Sequence, residues 1–465
     1  MDVEKSKDRA AGRGMSRKEF IVAGAGASAG AALSGLVARN AMAVPSRGRR
    51  QAGKGEGGYG PLSNVGPELA LPAGFTYVLF GVEGSEMSDG NPTPKAHDGM
   101  AAFELPNGNV RLIRNHEDRD NAAISSVKGD PATAYDSRGG GSTTSLEVQP
   151  GGERRLVRDF ISLNGTIVNC AGGPTPWGSW ISCEETTQGE TQGWERDHGY
   201  NFEVPADAED EVRGEPLRAM GRFVHEAIPV DPNTGIVYET EDRGTAGFYR
   251  FIPDSEGDMT AGRLQMLAIK GRPNYNTTNG QRVGKPLPVQ WVDIDDPDPA
   301  EAETNPLAVY QQGAEKGGAL FSRLEGAWYG DGSIFFHATD GGDEELGQVW
   351  EYRPRGRSGG QLILLFESES PEMLDAPDNV TVSPRGGIVI CEDGGGEQYL
   401  RGLTPEGEIF DFARNTANDR EFAGACFSPD GETLFVNIQG DTSSGGPGNK
   451  GMTFAIWGPW EEGAL

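Results

Sequence analysis

The sequence predicts an all-β fold, a six-bladed β-propeller with an inserted segment between the third and fourth blades. Three observations carry that expectation. The 465-residue chain is rich in punctuation, with Gly 70 and Pro 30, which suits many short strands and tight turns better than long helices. No 3.6-residue periodicity is sustained beyond about the first forty residues. A cassette also recurs six times: a tight turn, a short apolar strand, then polar or acidic residues.

The first cassette is Asn107-Gly108-Asn109, strand 110–113, then Asn115-His116-Glu117. The second is Pro176-Trp177-Gly178, strand 179–182, then Cys183-Glu184-Glu185. The third runs from Asp231 through Gly235 and strand 236–238 to Glu239-Thr240-Glu241-Asp242. The fourth is Asp331-Gly332, strand 333–336, then His337-Ala338-Thr339-Asp340, and the fifth is Ser383 to Gly387, strand 388–390, then Cys391-Glu392-Asp393. The sixth is Ser428 to Gly431, strand 433–436, then Asn437-Ile438-Gln439. The longest gap lies between the third and fourth, so residues 270–316 are expected to form the insert. In a propeller the innermost strands run along a central channel and equivalent strand ends converge at one mouth. Six cassettes ending in Asn, Glu, Asp or Cys would then surround a single anionic pocket.

Ahead of the cassettes, Ser16-Arg17-Lys18-Glu19-Phe20-Ile21, an Ala/Gly-rich run and Ala41-Met42-Ala43 resemble a twin-arginine export signal ending in an A-x-A cleavage site. Residues 1–43 are therefore expected to be a signal peptide, 44–60 a flexible linker and 61–465 the propeller. The expected location is periplasmic or extracellular, with the twin-arginine translocase as partner during export and no stable membrane insertion. A net charge of −29 disfavours nucleic acid and anionic membrane surfaces as partners. The four cysteines, Cys170, Cys183, Cys391 and Cys426, are open to disulfide, core or ligand roles.

The stretch from Asn169 to Thr186 is the densest in chemistry. Two thiols and the adjacent carboxylates of Glu184 and Glu185 flank a Gly/Pro-punctuated turn. Paired carboxylates at a strand end repel each other and call for a partner such as a multivalent cation. Carboxylates suit hard cations, whereas a thiolate points to a transition metal beside them. In Gly221-Arg222-Phe223-Val224-His225-Glu226, the neighbours His225 and Glu226 point to opposite faces of a strand, and Glu226 is the favoured ligand. Arg323-Leu324-Glu325 places a guanidinium and a carboxylate on one face, as either a structural salt bridge or a phosphate-binding pair. Pro377-Asp378-Asn379 opens the fifth blade. There is no G-x-S-x-G nucleophile elbow, P-loop or Rossmann fingerprint.

Asn169-Cys170-Ala171-Gly172-Gly173-x-Thr175-Pro176-Trp177-Gly178-Ser179-Trp180 with Cys183-Glu184-Glu185 resembles the signature of the PhoX alkaline phosphatase family. The Asn115-His116-Glu117, Arg222-to-Glu226, Arg323-x-Glu325, Pro377-Asp378-Asn379 and Cys391-Glu392-Asp393 motifs follow the same order. The resemblance implies an exported six-bladed propeller that hydrolyses phosphomonoesters at a cluster of Fe3+ and Ca2+ ions in the channel mouth. By motif, Cys170 would bridge the irons. Glu184 or Glu185, Glu226, Glu325, Asp378, Glu392 and Asp393 would be carboxylate ligands, and Arg323 with Asn115 would hold the phosphate. The competing classes are a non-catalytic calcium-binding scaffold and a calcium-dependent lactonase or esterase.

Overall fold

The computed structural model describes residues 58–125 and 127–465. The expected signal segment, and all but the last three residues of the expected linker, lie outside the described residues. Within the described residues the chain is all-β, with 25 strands and one α-helix, Ala308–Glu315. None of their helices is long and apolar enough to cross a membrane.

Six antiparallel hairpins organise a propeller-like arrangement. The first pairs His97–Glu104 with Val110–His116, and the second pairs Asn169–Pro174 with Ser179–Glu184. In the third, residues 225–230 bridge to Val237–Thr240 at Val230↔Val237, with His225 bridging to Glu241 just beyond that strand. The fourth pairs Leu324–Gly330 with Ser333–Ala338, the fifth Pro377–Val382 with Ile388–Glu392, and the sixth Phe422–Phe427 with Leu434–Ile438.

The second strand of each hairpin is the one the cassettes mark. These strands are not the innermost; the strands that precede them are. A small central cavity is lined by at least one residue from each first strand, among them Gly99, Ala171, Ala227, Gly326, Asn379 and Gly424. The second strands are buried throughout, so apolar residues occupy both of their faces rather than one. The first strands approach one another too closely for large side chains. A Cβ on Gly99 would lie 2.6 Å from the Cα of Ala171. Gly424 adopts φ +61°, and a Cβ there would lie 2.3 Å from the Asp98 carbonyl oxygen. These contacts join the first hairpin to the second and to the sixth.

Outer strands complete five sheets of four, three, eight, six and four strands. The eight-stranded sheet contains the third and fourth hairpins, joined where Leu287–Val289 pairs with Gly360–Leu362. The expected insert is therefore partly sheet: Leu287–Asp293 is a paired strand, and the helix Ala308–Glu315 packs its Val309 into the core of the third hairpin. The third strand, Thr76–Phe80, pairs with Met452–Trp457 and completes the sheet of the sixth hairpin. Trp328 lines the central cavity and packs against three of the apolar clusters between sheets. All four cysteines are buried and free.

Close approach at Gly99 makes a direct test of this packing. Gly99→Val is expected to lower unfolding stability by about 3 kcal/mol or more, because backbone atoms rather than flexible side chains stand in the way. Gly151→Ala, where a Cβ meets nothing within 4 Å, is expected to leave it within about 0.5 kcal/mol. Thermal or urea unfolding measures both.

Candidate metal centre

One backbone device is repeated in all six hairpins. The register pairs are His97↔His116, Asn169↔Glu184, His225↔Glu241, Leu324↔Ala338, Pro377↔Glu392 and Phe422↔Ile438. One residue beyond each pair, the second strand donates its N–H back to the residue preceding the first strand. These bonds are Glu117 to Ala96, Glu185 to Val168, Asp242 to Val224, Thr339 to Arg323, Asp393 to Ala376 and Gln439 to Glu421, at 2.9–3.2 Å. Four of the accepting residues, Ala96, Val168, Arg323 and Ala376, have φ between 42° and 54°. That left-handed backbone is costly for a branched residue such as Val168.

In five hairpins the first strand then carries one extra residue, a β-bulge, as where His97↔His116 is followed by Met100↔Arg114. The result is two tiers at one mouth. Asp98, Cys170, Glu226, Glu325, Asp378 and Ala423 stand second in the first strands, and Glu117, Glu185, Asp242, Thr339, Asp393 and Gln439 follow the second strands.

Two groups in these tiers are tight enough to share an ion. Asp98, Glu117 and Cys170 offer ligand atoms within 4.8 Å of one another, and so do Glu226, Glu325 and Asp378. The Cys170 thiol lies 3.7 Å from Asp98 Oδ2. Gln439 Nε2 donates to Asp98 Oδ2 at 3.0 Å and to Glu117 Oε2 at 2.8 Å, holding both toward the thiol. Glu226 is 0% exposed and neither of its oxygens has a hydrogen-bond partner among the described residues. Asp98 Oδ1 is also unpartnered. A buried carboxylate without a donor is strongly disfavoured unless a cation stands beside it. The donor set fits cations of two kinds: thiolate with carboxylates suits a transition metal, and three carboxylates suit a hard ion.

Two guanidiniums reach the ring. Arg323 forks onto Asp242 through Nε (2.9 Å) and Nη2 (3.0 Å), and Nη2 also bonds Glu325 at 2.8 Å. Arg119 Nη2 bonds Glu117 and, at 3.0 Å, Glu185. They oppose nine carboxylates: Asp98, Glu117, Glu185, Glu226, Asp242, Glu325, Asp378, Asp393 and Glu421. Burial, and then the charge of Asp378, pushes Glu226 well above the usual carboxylate range. Burial followed by Asp242 does the same to Glu325, and burial followed by Glu117 to Asp98. Asp378 is raised to about 7 by burial and then Asp393. Burial, and then Asp98, pushes the Cys170 thiol up. A bound cation reverses all of these.

Of the residues expected from sequence, Cys170, Glu185, Glu226, Glu325, Asp378 and Asp393 meet at this mouth, with Asp393 on its exposed rim, and Arg323 stands beside them. Glu184 does not join them. Its carboxylate accepts from the N–H groups of Ile167 (3.0 Å) and Gly199 (2.8 Å) and pairs with His198 at 2.6 Å. Between Glu184 and Asp136, His198 is raised to about 9: burial lowers it, but the two carboxylates outweigh that. Glu392 is likewise turned away, onto Arg401 Nε (2.7 Å) and the N–H of Asp375 (3.0 Å). Both belong to the register pairs themselves, and strand alternation sends the next residue, not these, to the mouth. Asn115 is also fully committed. Its Nδ2 donates to the carbonyls of Cys170 (2.9 Å) and Ala171 (2.6 Å), and its Oδ1 accepts from Trp180 Nε1 (2.8 Å). It props the Cys170 bulge rather than facing the mouth.

Asp98, Glu117, Arg119, Asp242, Glu421 and Gln439 are additions to the expected set. The signal for the first tier is a ligand followed by a small residue, as in Asp98-Gly99, Cys170-Ala171, Glu226-Ala227 and Glu325-Gly326.

The family model for alkaline phosphatase PhoX matches residues 57–441. In structure the chain is similar to Pseudomonas fluorescens PhoX in complex with vanadate, a transition state analogue. The TM-score is 0.64 at 17% identity, over 84% of this chain and 96% of that one. It is also similar, at TM-score 0.43 and 9% identity, to the gluconolactonase XC5397 from Xanthomonas campestris, over 86% of this chain and 99% of that one. A search of curated protein sequences finds no match. The family match spans all six hairpins and both triads, and the chain belongs to the PhoX family of alkaline phosphatases, a family of hydrolases.

Proposed function

We propose that the chain is an exported, metal-dependent phosphomonoesterase, built as six blades around one channel. In this reading iron is held by the Asp98–Glu117–Cys170 group and calcium by the all-oxygen group of Glu226, Glu325 and Asp378. The observation that carries the reading is Glu226, whose wholly buried carboxylate has no hydrogen-bond partner and stands within 4.8 Å of two further carboxylates. Export through the twin-arginine route, and hence a periplasmic or extracellular location, rests on the leader-like residues 1–43.

Bound cations of this kind supply positive charge against phosphoryl oxygens and acidify water. The chain's own residues do the rest. Cys170 and the carboxylates hold the charge in place, and Gln439 and Asn115 fix Asp98, Glu117 and the Cys170 bulge so that the ring does not reorganise during the reaction. Arg323, clamped by Asp242 and Glu325, keeps its guanidinium at the mouth, where charge builds on the equatorial oxygens of the ester.

The purified protein with added Ca2+ is expected to contain iron and calcium and to hydrolyse p-nitrophenyl phosphate, and to lose that activity on chelation. Cys170→Ala is expected to lose iron and to drop kcat/KM about a hundredfold or more. A metal-replete protein without phosphomonoesterase activity, or a Cys170→Ala variant equal to wild type, would contradict the proposal.

Chelated protein should also become less stable as pH rises. Carboxyls raised in the folded state bind more protons folded than unfolded, so their stabilising contribution is full below the unfolded value of about 4. It fades as pH climbs through the folded values, with Asp378 at about 7. Thermal melts from pH 5 to 8 are expected to fall steadily for the chelated protein and much less for the loaded one; parallel curves would argue against a cation in the ring.

A further inference from the structure

We propose that Arg119 is a second phosphate-binding residue, standing across the Glu185–Asp242 pair from Arg323. The inference rests on the phosphatase reading and goes beyond it by naming the group that completes the anion site.

Three observations carry it. First, Asn115, the residue expected to share the phosphate with Arg323, has spent its amide on the backbone of Cys170 and Ala171 and on Trp180. The anion site therefore lacks the second donor that the sequence pointed to. Second, Arg119 lies on the mouth side of the ring, two residues past Glu117, and its backbone N–H is pinned to the Thr442 carbonyl at 2.9 Å. Its side chain is 50% exposed although the Glu117 carboxylate it touches is 4% exposed. Third, only Nη2 is engaged, by Glu117 and Glu185; among the described residues Nε and Nη1 make no hydrogen bond. Three N–H donors on a fixed cation are thus presented beside the ring.

The position mirrors that of Arg323. That guanidinium is 45% exposed, is gripped by Asp242 and Glu325, and precedes its first strand on the same mouth side. Glu185, which Arg119 holds, and Asp242, which Arg323 holds, follow the second strands of successive hairpins at this mouth. The two cations therefore flank one carboxylate pair at the rim. A phosphate dianion lying over the ring would meet a guanidinium on each flank, the geometry that suits planar, multi-point capture of phosphoryl oxygens.

Calorimetric titration of inorganic phosphate into iron- and calcium-loaded protein tests the role without relying on turnover. Arg119→Met is expected to weaken phosphate binding about tenfold or more at unchanged metal content, because a charged hydrogen bond is removed. Arg119→Lys is expected to recover part of it, and KM for p-nitrophenyl phosphate should rise in step with the dissociation constant. Unchanged phosphate affinity in Arg119→Met, a loss only in proportion to lost metal, or no phosphate binding by the loaded wild type would each overturn the assignment. If the wild type binds phosphate through Arg119 but hydrolyses no monoester, the anion site stands and the phosphatase reading fails.

Discussion

Mutual repulsion among carboxylates brought to one mouth is the constraint on which the rest of this structure depends. Two charges 4.8 Å apart repel by about 3 kcal/mol at an effective dielectric constant near 20. Three such pairs in one group approach about 10 kcal/mol, comparable with the whole stability of a typical domain. Without cations the ring must hold protons instead, which is the state the raised carboxyls describe. Six hairpins, five bulges and four left-handed residues make sense as a scaffold rigid enough to keep those groups together against that repulsion.

The scaffold concentrates strain where the ligands are and keeps it out of the sheets. Left-handed Ala96, Val168, Arg323 and Ala376 each accept a backbone hydrogen bond from the residue after a second strand. That bond locks the two tiers together within each hairpin. Glycines next to the bulges then let neighbouring first strands touch backbone to backbone, so adjacent hairpins fix one another's position. A second layer of buried polar groups, the Glu184–His198–Asp136 chain and the Glu392–Arg401 pair, sits behind the ring and holds its carboxylates on cations of its own.

This division explains what could be read in the sequence. The second strands are buried on both faces and flanked by turns, so all six stood out as cassettes. The first strands are no shorter than the second, but small and polar residues interrupt them where they pack backbone to backbone, so an apolar pattern did not mark them, and Asp98 was missed with them. Among adjacent acids, Glu184 or Glu185 and Glu392 or Asp393, composition carries no preference; only the register pairs Asn169↔Glu184 and Pro377↔Glu392 decide which one reaches the mouth. Asn115 belonged to the right motif and shares a strand face with Glu117, two residues on, but its amide is taken up by the backbone of Cys170 and Ala171. The expected insert hid a sheet strand because Leu287–Asp293 alternates buried and exposed residues and so lacks a continuous apolar run.

The most direct measurement is the metal content of two folded variants that each remove one buried carboxylate charge, Glu226→Gln in the ring and Glu184→Gln behind it. Elemental analysis of the soluble, folded protein is expected to show the Glu226 variant losing calcium while the Glu184 variant keeps its full complement. Equal metal content in the two, or loss only in the Glu184 variant, would contradict the placement of the centre.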